Sequence, residues 1–275
     1  QVHHHAHDHG AGPADVGLAP AGPAGALGRL QADGSVRPAQ NHNVAGELST
    51  HYAHGDSLIT LINNSCSLLK SIGAKHNDSC GLHIHISVDD LSSAGRDNIF
   101  RWWQALEPAI SLLVEPNRIN CTYCRSATRA SDCSESHYLA LNGACFNNHA
   151  TASGTFEVRL HHMTLHAPTI ISWTLFMLSF FDTFSLVHPT DERLAEVRNM
   201  SLREKMIFIF QQTHIPLSLR KYVVKSAHSH WGKDYLVERP RPVYATEPLA
   251  WPTVSSTPCL TISQPSSHLD STSVS

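Results

Sequence analysis

Two short stretches carry the residue types that do chemistry. Gly81-Leu82-His83-Ile84-His85-Ile86-Ser87-Val88 and Thr155-Phe156-Glu157-Val158-Arg159-Leu160-His161 both alternate apolar with polar residues. Successive side chains of a strand leave on opposite faces. Leu82, Ile84, Ile86 and Val88 therefore share one face, and His83, His85 and Ser87 the other. The two imidazoles sit about 7 Å apart at a rise of roughly 3.3 Å per residue. In the second stretch Phe156, Val158 and Leu160 face a core, while Thr155, Glu157, Arg159 and His161 face away from it. Brought into one sheet, the stretches gather His, His, Glu and Arg on a single surface, a set suited to a metal ion together with an anion. The plainer reading is an antiparallel sheet with one face in water. Residue choice argues against it. A wet face usually carries Lys, Thr, Glu and Ser, whereas H-x-H and E-x-R concentrate ligands and phosphate binders. H-x-H also occurs in zinc hydrolases, and His161, His162 or His166 would then be further ligands.

The apolar faces of such strands need helices over them. Leu58, Leu61, Ile62, Ser65, Leu68, Leu69 and Ile72 recur at helical spacing over 57–72, and Gly73 is placed to stop that helix. A second helix is expected over 91–115, with Ile99, Trp102, Trp103, Leu106, Ile110 and Leu113 in register and a kink or split at Pro108. A third runs over 168–186 with Pro168 as its first residue. Its apolar run over 170–187 contains Asp182, which is costly in lipid, so it reads as a buried core helix rather than a membrane span. Ser201 with Glu204 makes a capping box before another helix, and Pro216 opens one more short helix. The stretch 1–30 is rich in His, Ala, Gly and Pro and reads as flexible; 251–275 reads as a Ser/Thr/Pro-rich disordered tail.

Totals bound the function. The chain has 275 residues, 41% of them hydrophobic, which suits one core plus appendages. A net charge of −3 gives no electrostatic case for nucleic acid. Seven cysteines are an odd set for a secreted disulfide framework, so reduced thiols in a cytoplasmic protein are expected. Cys121-Thr-Tyr-Cys124 with Cys133 and Cys145 is an alternative zinc set, although the later pair lacks C-x-x-C spacing.

With both strands in view, the order of motifs resembles the amidoligase family, relatives of glutamate–cysteine ligase and glutamine synthetase. The resemblance covers about 31–187. It rests on Asp33-Gly34-Ser35, Gly46-Glu47-Leu48, Cys80-Gly81-Leu82-His83-Ile84-His85, Arg118-x-Asn120 with Tyr123-Cys124, Leu141-Asn142, and Thr155-Phe156-Glu157-Val158-Arg159. It implies an α+β fold, a curved and mainly antiparallel sheet with helices packed on one face, as in the glutamine-synthetase core. It also implies a ligase that joins a small-molecule or peptide carboxylate to an amine, using ATP and Mg2+ or Mn2+ through an acyl phosphate. Neither nucleic acid nor membrane is an expected partner.

By the resemblance, Glu47, His83 and Glu157 correspond to metal ligands, and His85 lies near the nucleotide phosphates. Arg159 corresponds to the arginine that stabilises the transferring phosphoryl group, and Asp33 to a substrate- or metal-binding acid. Arg118 and Asn120 correspond to nucleotide or substrate contacts. The catalytic core is expected over 31–190, followed by a helical extension over 191–250. The family opens on a strand carrying E-x-E, whereas residues 1–32 hold only Asp8 and Asp15 as acids. A truncated or inactive relative that binds rather than catalyses is therefore the alternative, with an H-x-H zinc hydrolase behind it.

Overall fold

The structure, a computed structural model, describes residues 27–31, 33, 35–38, 45–144 and 154–231. The histidine-rich start, Cys145 and the Ser/Thr/Pro-rich tail lie outside the described residues. Strands β1 (Gly28–Gln31) and β2 (Glu47–Thr50) pair antiparallel as a two-stranded sheet of their own. Strands β3 (Gly81–Ser87), β4 (Leu141–Asn142) and β5 (Thr155–His162) form a second sheet in the order β3-β5-β4, with both pairings antiparallel. The α+β class and the pairing of the two chemistry-bearing stretches are as expected. What the described residues form is two small sheets, rather than the single larger curved one.

Among the described residues six α-helices accompany them: α1 (Gly55–Ser71), α2 (Ser93–Ile110), α3 (Ala167–Leu186), α4 (Asp191–Asn199), α5 (Leu202–Thr213) and α6 (Leu217–Trp231). Helix α1 stops where Gly73 adopts a left-handed φ of 72°. Ser92 caps α2 by accepting from Gly95 N at 3.0 Å. Pro108 neither splits nor ends α2; the helix runs on to Ile110 and then tightens into a 3-10 turn, Ser111–Leu113. Pro168 sits in the first turn of α3, where its missing N–H costs nothing. The Ser201 and Glu204 capping box is formed in both directions. The helix after Pro216 has 15 residues, longer than expected.

Aromatic contacts hold the helices to one another and to β5. Trp102 of α2 packs on Phe184 of α3 with ring centroids 5.3 Å apart, Trp103 meets Phe180 edge-on at 5.8 Å, and Phe156 of β5 meets Phe181 at 6.2 Å. Leu82 of β3 packs against Cys66 of α1 and Ala167 and Ile170 of α3, which places both helices on the apolar face of β3. Helix α3 is the one described helix long and apolar enough to cross a membrane, with a mean hydropathy of 1.4. Half of it is buried inside the protein, and its Phe176, Phe180 and Phe184 are fully buried against α2 and α5. It is a core helix.

A bulge redirects the end of β5. Ile84 pairs with Val158, but Leu82 pairs with His161, so Arg159 and Leu160 together oppose His83. The extra residue reverses the alternation beyond it. His161 therefore joins Leu82 on the helix side, 2% exposed, with its ring 4.9 Å from that of Trp173 in α3. The expectation that His161 shares a face with Glu157 and Arg159 is corrected by this one-residue slip.

Between α2 and β4 the chain is irregular, and α2 fastens it. Glu107, 3% exposed, accepts from Trp103 Nε1 at 2.7 Å and from Ala127 N at 2.9 Å through one oxygen. Gln104 Nε2 donates to the carbonyls of Ala127 and Ala130 at 3.0 and 2.8 Å. Burial pushes the Glu107 carboxyl up, and hydrogen bonds from Ser126, Ala127 and Trp103 pull against that. Glu107→Ala leaves two buried N–H groups without acceptors and should cost about 2–4 kcal/mol in urea unfolding. Glu107→Gln keeps an acceptor oxygen and removes a buried charge, so it should stay within about 1 kcal/mol of the parent. Equal losses in the two variants would show that the acceptor is not what matters.

Candidate functional site

The polar face of the β3 and β5 pair is not a wet face. Glu157 is 2% exposed and Arg159 7%, whereas the His83 and His85 side chains keep 19% and 17%. The histidines form the opening and the ion pair lies beneath it. His85 is directly opposite Glu157 in the ladder. Glu157 Oε1 lies 2.6 Å from Arg159 Nη1, 3.1 Å from His83 Nδ1 and 3.7 Å from His85 Nε2. Its other oxygen accepts from Asn142 Nδ2 of β4 at 2.8 Å. Arg159 Nε donates to the Tyr123 carbonyl at 3.2 Å, so the loop fastened by Glu107 also sets the guanidinium. His85 Nδ1 contacts Thr155 Oγ1 at 3.1 Å.

Burial alone would push the Glu157 carboxyl up. The hydrogen bond with His83 and the charges of His83, Arg159 and His85 outweigh it and hold the group well below the ordinary carboxylate range. Glu157 is thus a buried anion at neutral pH, held against Arg159 beneath a rim of two imidazoles.

Of the residues singled out in the sequence, His83, His85, Glu157 and Arg159 converge. Arg118 joins them from beneath, donating from Nη2 to the Arg159 carbonyl at 2.8 Å. Asn120 has a left-handed φ of 52°, is exposed, and accepts from Ser126 N at 3.3 Å, a role in shaping the loop. Asp33 accepts from Ser35 N and Oγ at 2.8 and 2.7 Å in the turn after β1. Glu47 opens β2, paired with Gln31 in the other sheet. Asn142 was legible only as part of a motif, and nothing in the sequence pointed to the Tyr123 carbonyl as a partner of Arg159.

A divalent metal on Glu157 does not fit this arrangement. Its Oε1 already faces a guanidinium and two imidazoles, and its Oε2 holds an amide. A second cation on the same oxygen is opposed by Arg159 at 2.6 Å. Among the described residues no three His, Cys, Asp or Glu side chains are arranged to hold a metal ion. The cysteine alternative meets a different obstacle. Burial pushes the Cys124 and Cys133 thiols up to about 12 and about 11, and Cys145 of that set lies outside the described residues.

Breaking a buried pair by neutralising one partner costs roughly 3–5 kcal/mol. Glu157→Gln should lose that much in urea unfolding at neutral pH, because it strands Arg159. A depressed carboxylate contributes stability that is complete above the unfolded value of 4.5 and is lost as pH falls through the folded value. The parent should therefore destabilise on acidification below that value more steeply than Glu157→Gln. Parallel acid profiles would show that the cluster does not hold the Glu157 charge.

No curated protein and no solved structure matches the chain. Residues 25–138 match a family model. The matched stretch contains Asp33, Glu47, His83, His85, Arg118 and Asn120, and ends before Glu157 and Arg159. The register of β3 with β5 is what brings those two to the matched histidines. The family is described as "Putative amidoligase enzyme", and it is over residues 25–138 that the chain is similar to it.

Proposed function

We propose that the protein is an ATP-dependent carboxylate–amine ligase working through an acyl phosphate, with its reacting centre on the polar face of β3 and β5. The observation that carries this reading is a guanidinium fixed beside two half-open imidazoles by one buried carboxylate. The match of residues 25–138 to an amidoligase model supports this reaction class.

A carboxylate oxygen of the acid substrate attacks the γ-phosphorus of ATP, and the bond to the ADP oxygen breaks. The amine nitrogen then attacks the acyl carbon. Phosphate leaves with that carboxylate oxygen and takes up the amine proton. ATP enters as its magnesium complex, with the metal belonging to the substrate. Negative charge develops on the γ-phosphoryl oxygens, and a prearranged guanidinium stabilises it without reorganisation. Glu157 and the Tyr123 carbonyl hold Nη1 and Nε of Arg159, so its remaining edge is offered in one orientation. His85, in contact with Thr155 and 3.7 Å from Glu157 Oε1, would meet the phosphate chain. The face must also keep the acyl phosphate from water, which burial of the pair favours.

A second reading, a relative that binds but does not catalyse, is favoured by one fact: Glu157 and Arg159 neutralise each other. Hydroxylamine separates the two, since it traps acyl phosphates as hydroxamates whatever the natural amine. Incubation with Mg-ATP, hydroxylamine and a panel of amino and dicarboxylic acids should release ADP together with hydroxamate for at least one acid. Arg159→Ala should reduce that rate about 10^3-fold or more. ADP release without hydroxamate, or no turnover with any acid, supports the binding protein.

A further inference from the structure

The irregular segment between α2 and β4 sets a group of rings and a second guanidinium next to Arg159. Arg125 N donates to the Tyr138 carbonyl at 2.6 Å, and Ala140 N to the Arg125 carbonyl at 2.7 Å, so Arg125 is tied to the approach to β4. Arg159 N donates to the Ala140 carbonyl at 2.9 Å. Tyr138 is shared by the two arginines. The guanidinium carbons of Arg159 and of Arg125 each lie 5.9 Å from its ring centroid. Tyr123 meets the same ring edge-on at 5.8 Å, and the His137 ring lies 3.8 Å away.

The members of this group differ in access. Tyr138 is half-buried at its centre, whereas Tyr123 is 39% exposed and Arg125 is exposed. Arg125 forms no ion pair among the described residues. Tyr123 has a second attachment, because its carbonyl accepts from Arg159 Nε at 3.2 Å. The residue that orients the guanidinium therefore also carries the exposed ring, and the ring is fixed relative to the polar face of β3 and β5. A third cation is a poor occupant beside two guanidiniums, and a phosphate asks for donors rather than a ring face. A flat heterocycle suits the surface, since it stacks on a phenol ring and on a guanidinium plane alike.

We infer that Tyr123 and Arg125 form the platform on which the purine ring of the nucleotide stacks, with Tyr138 as the buttress between them and Arg159. The inference rests on the ligase reading, which brings the γ-phosphoryl group to Arg159. A nucleotide carries its base at the end opposite that group, so the platform must adjoin Arg159 without covering it. Tyr123 stands one ring beyond Tyr138 and meets that condition.

Isothermal titration of the full chain compares a non-hydrolysable Mg-ATP analogue with magnesium tripolyphosphate, which has the phosphate chain and no base. Tyr123→Leu keeps an apolar side chain against Tyr138 and the carbonyl that holds Arg159, and removes the π-face. It should weaken the analogue about tenfold or more and leave tripolyphosphate unchanged. Tyr123→Phe keeps the ring and should bind the analogue as the parent does. Tyr123→Ala repeats the comparison should the leucine variant not fold by circular dichroism. A parent that holds the analogue no tighter than tripolyphosphate overturns the platform. So does a leucine variant that weakens neither ligand, or both equally. A parent that binds neither ligand removes the ligase reading, and the platform with it. Ring-dependent binding of the analogue beside no hydroxamate from any acid keeps the platform and removes ligation alone.

Discussion

The structure turns on a single buried carboxylate. Glu157 has Arg159, His83, His85 and Asn142 around its two oxygens, contributed by all three strands of the second sheet. A charge at 2% exposure is tolerable only because those partners arrive together. Strand register, the bulge and the position of β4 are therefore constraints on one another. A slip of β3 by one residue would put His85 on the helix side and leave the carboxylate beside Ile84 or Ile86.

The bulge does two things at once. It lets β5 present Glu157 and Arg159 to the site while sending His161 to Trp173, and at the bulge the Arg159 carbonyl accepts from a long side-chain donor. Arg118 is that donor. From the other side, Glu107 and Gln104 of α2 hold the loop whose Tyr123 carbonyl completes the Arg159 geometry. Helix α2 is in turn locked by Trp102 and Trp103 against α3. The aromatic core thus reaches the rim of the site through two hydrogen-bonded steps.

Much of this was legible in the sequence because period and residue type agreed. The alternation in 81–88 and 155–161 gave strands, faces and the four converging residues, and the apolar period of α1 to α3 gave the layer above them. His161 was misplaced because alternation presumes an unbroken ladder, and a bulge leaves no mark in residue types. The partner of Arg159 at Tyr123 is a backbone carbonyl, and a carbonyl has no letter of its own. Asp33 and Glu47 were carried over by resemblance, and the structure sets Asp33 in the turn after β1, bonded to Ser35, and Glu47 at the start of β2, opposite Gln31.

The account stands most directly on where a nucleotide goes. A crystal structure of the full chain with a non-hydrolysable Mg-ATP analogue should show the γ-phosphoryl oxygens within hydrogen-bond distance of Arg159, with His85 beside the phosphate chain. A nucleotide seated elsewhere on the protein, or a face of β3 and β5 left empty at saturating analogue, would contradict it.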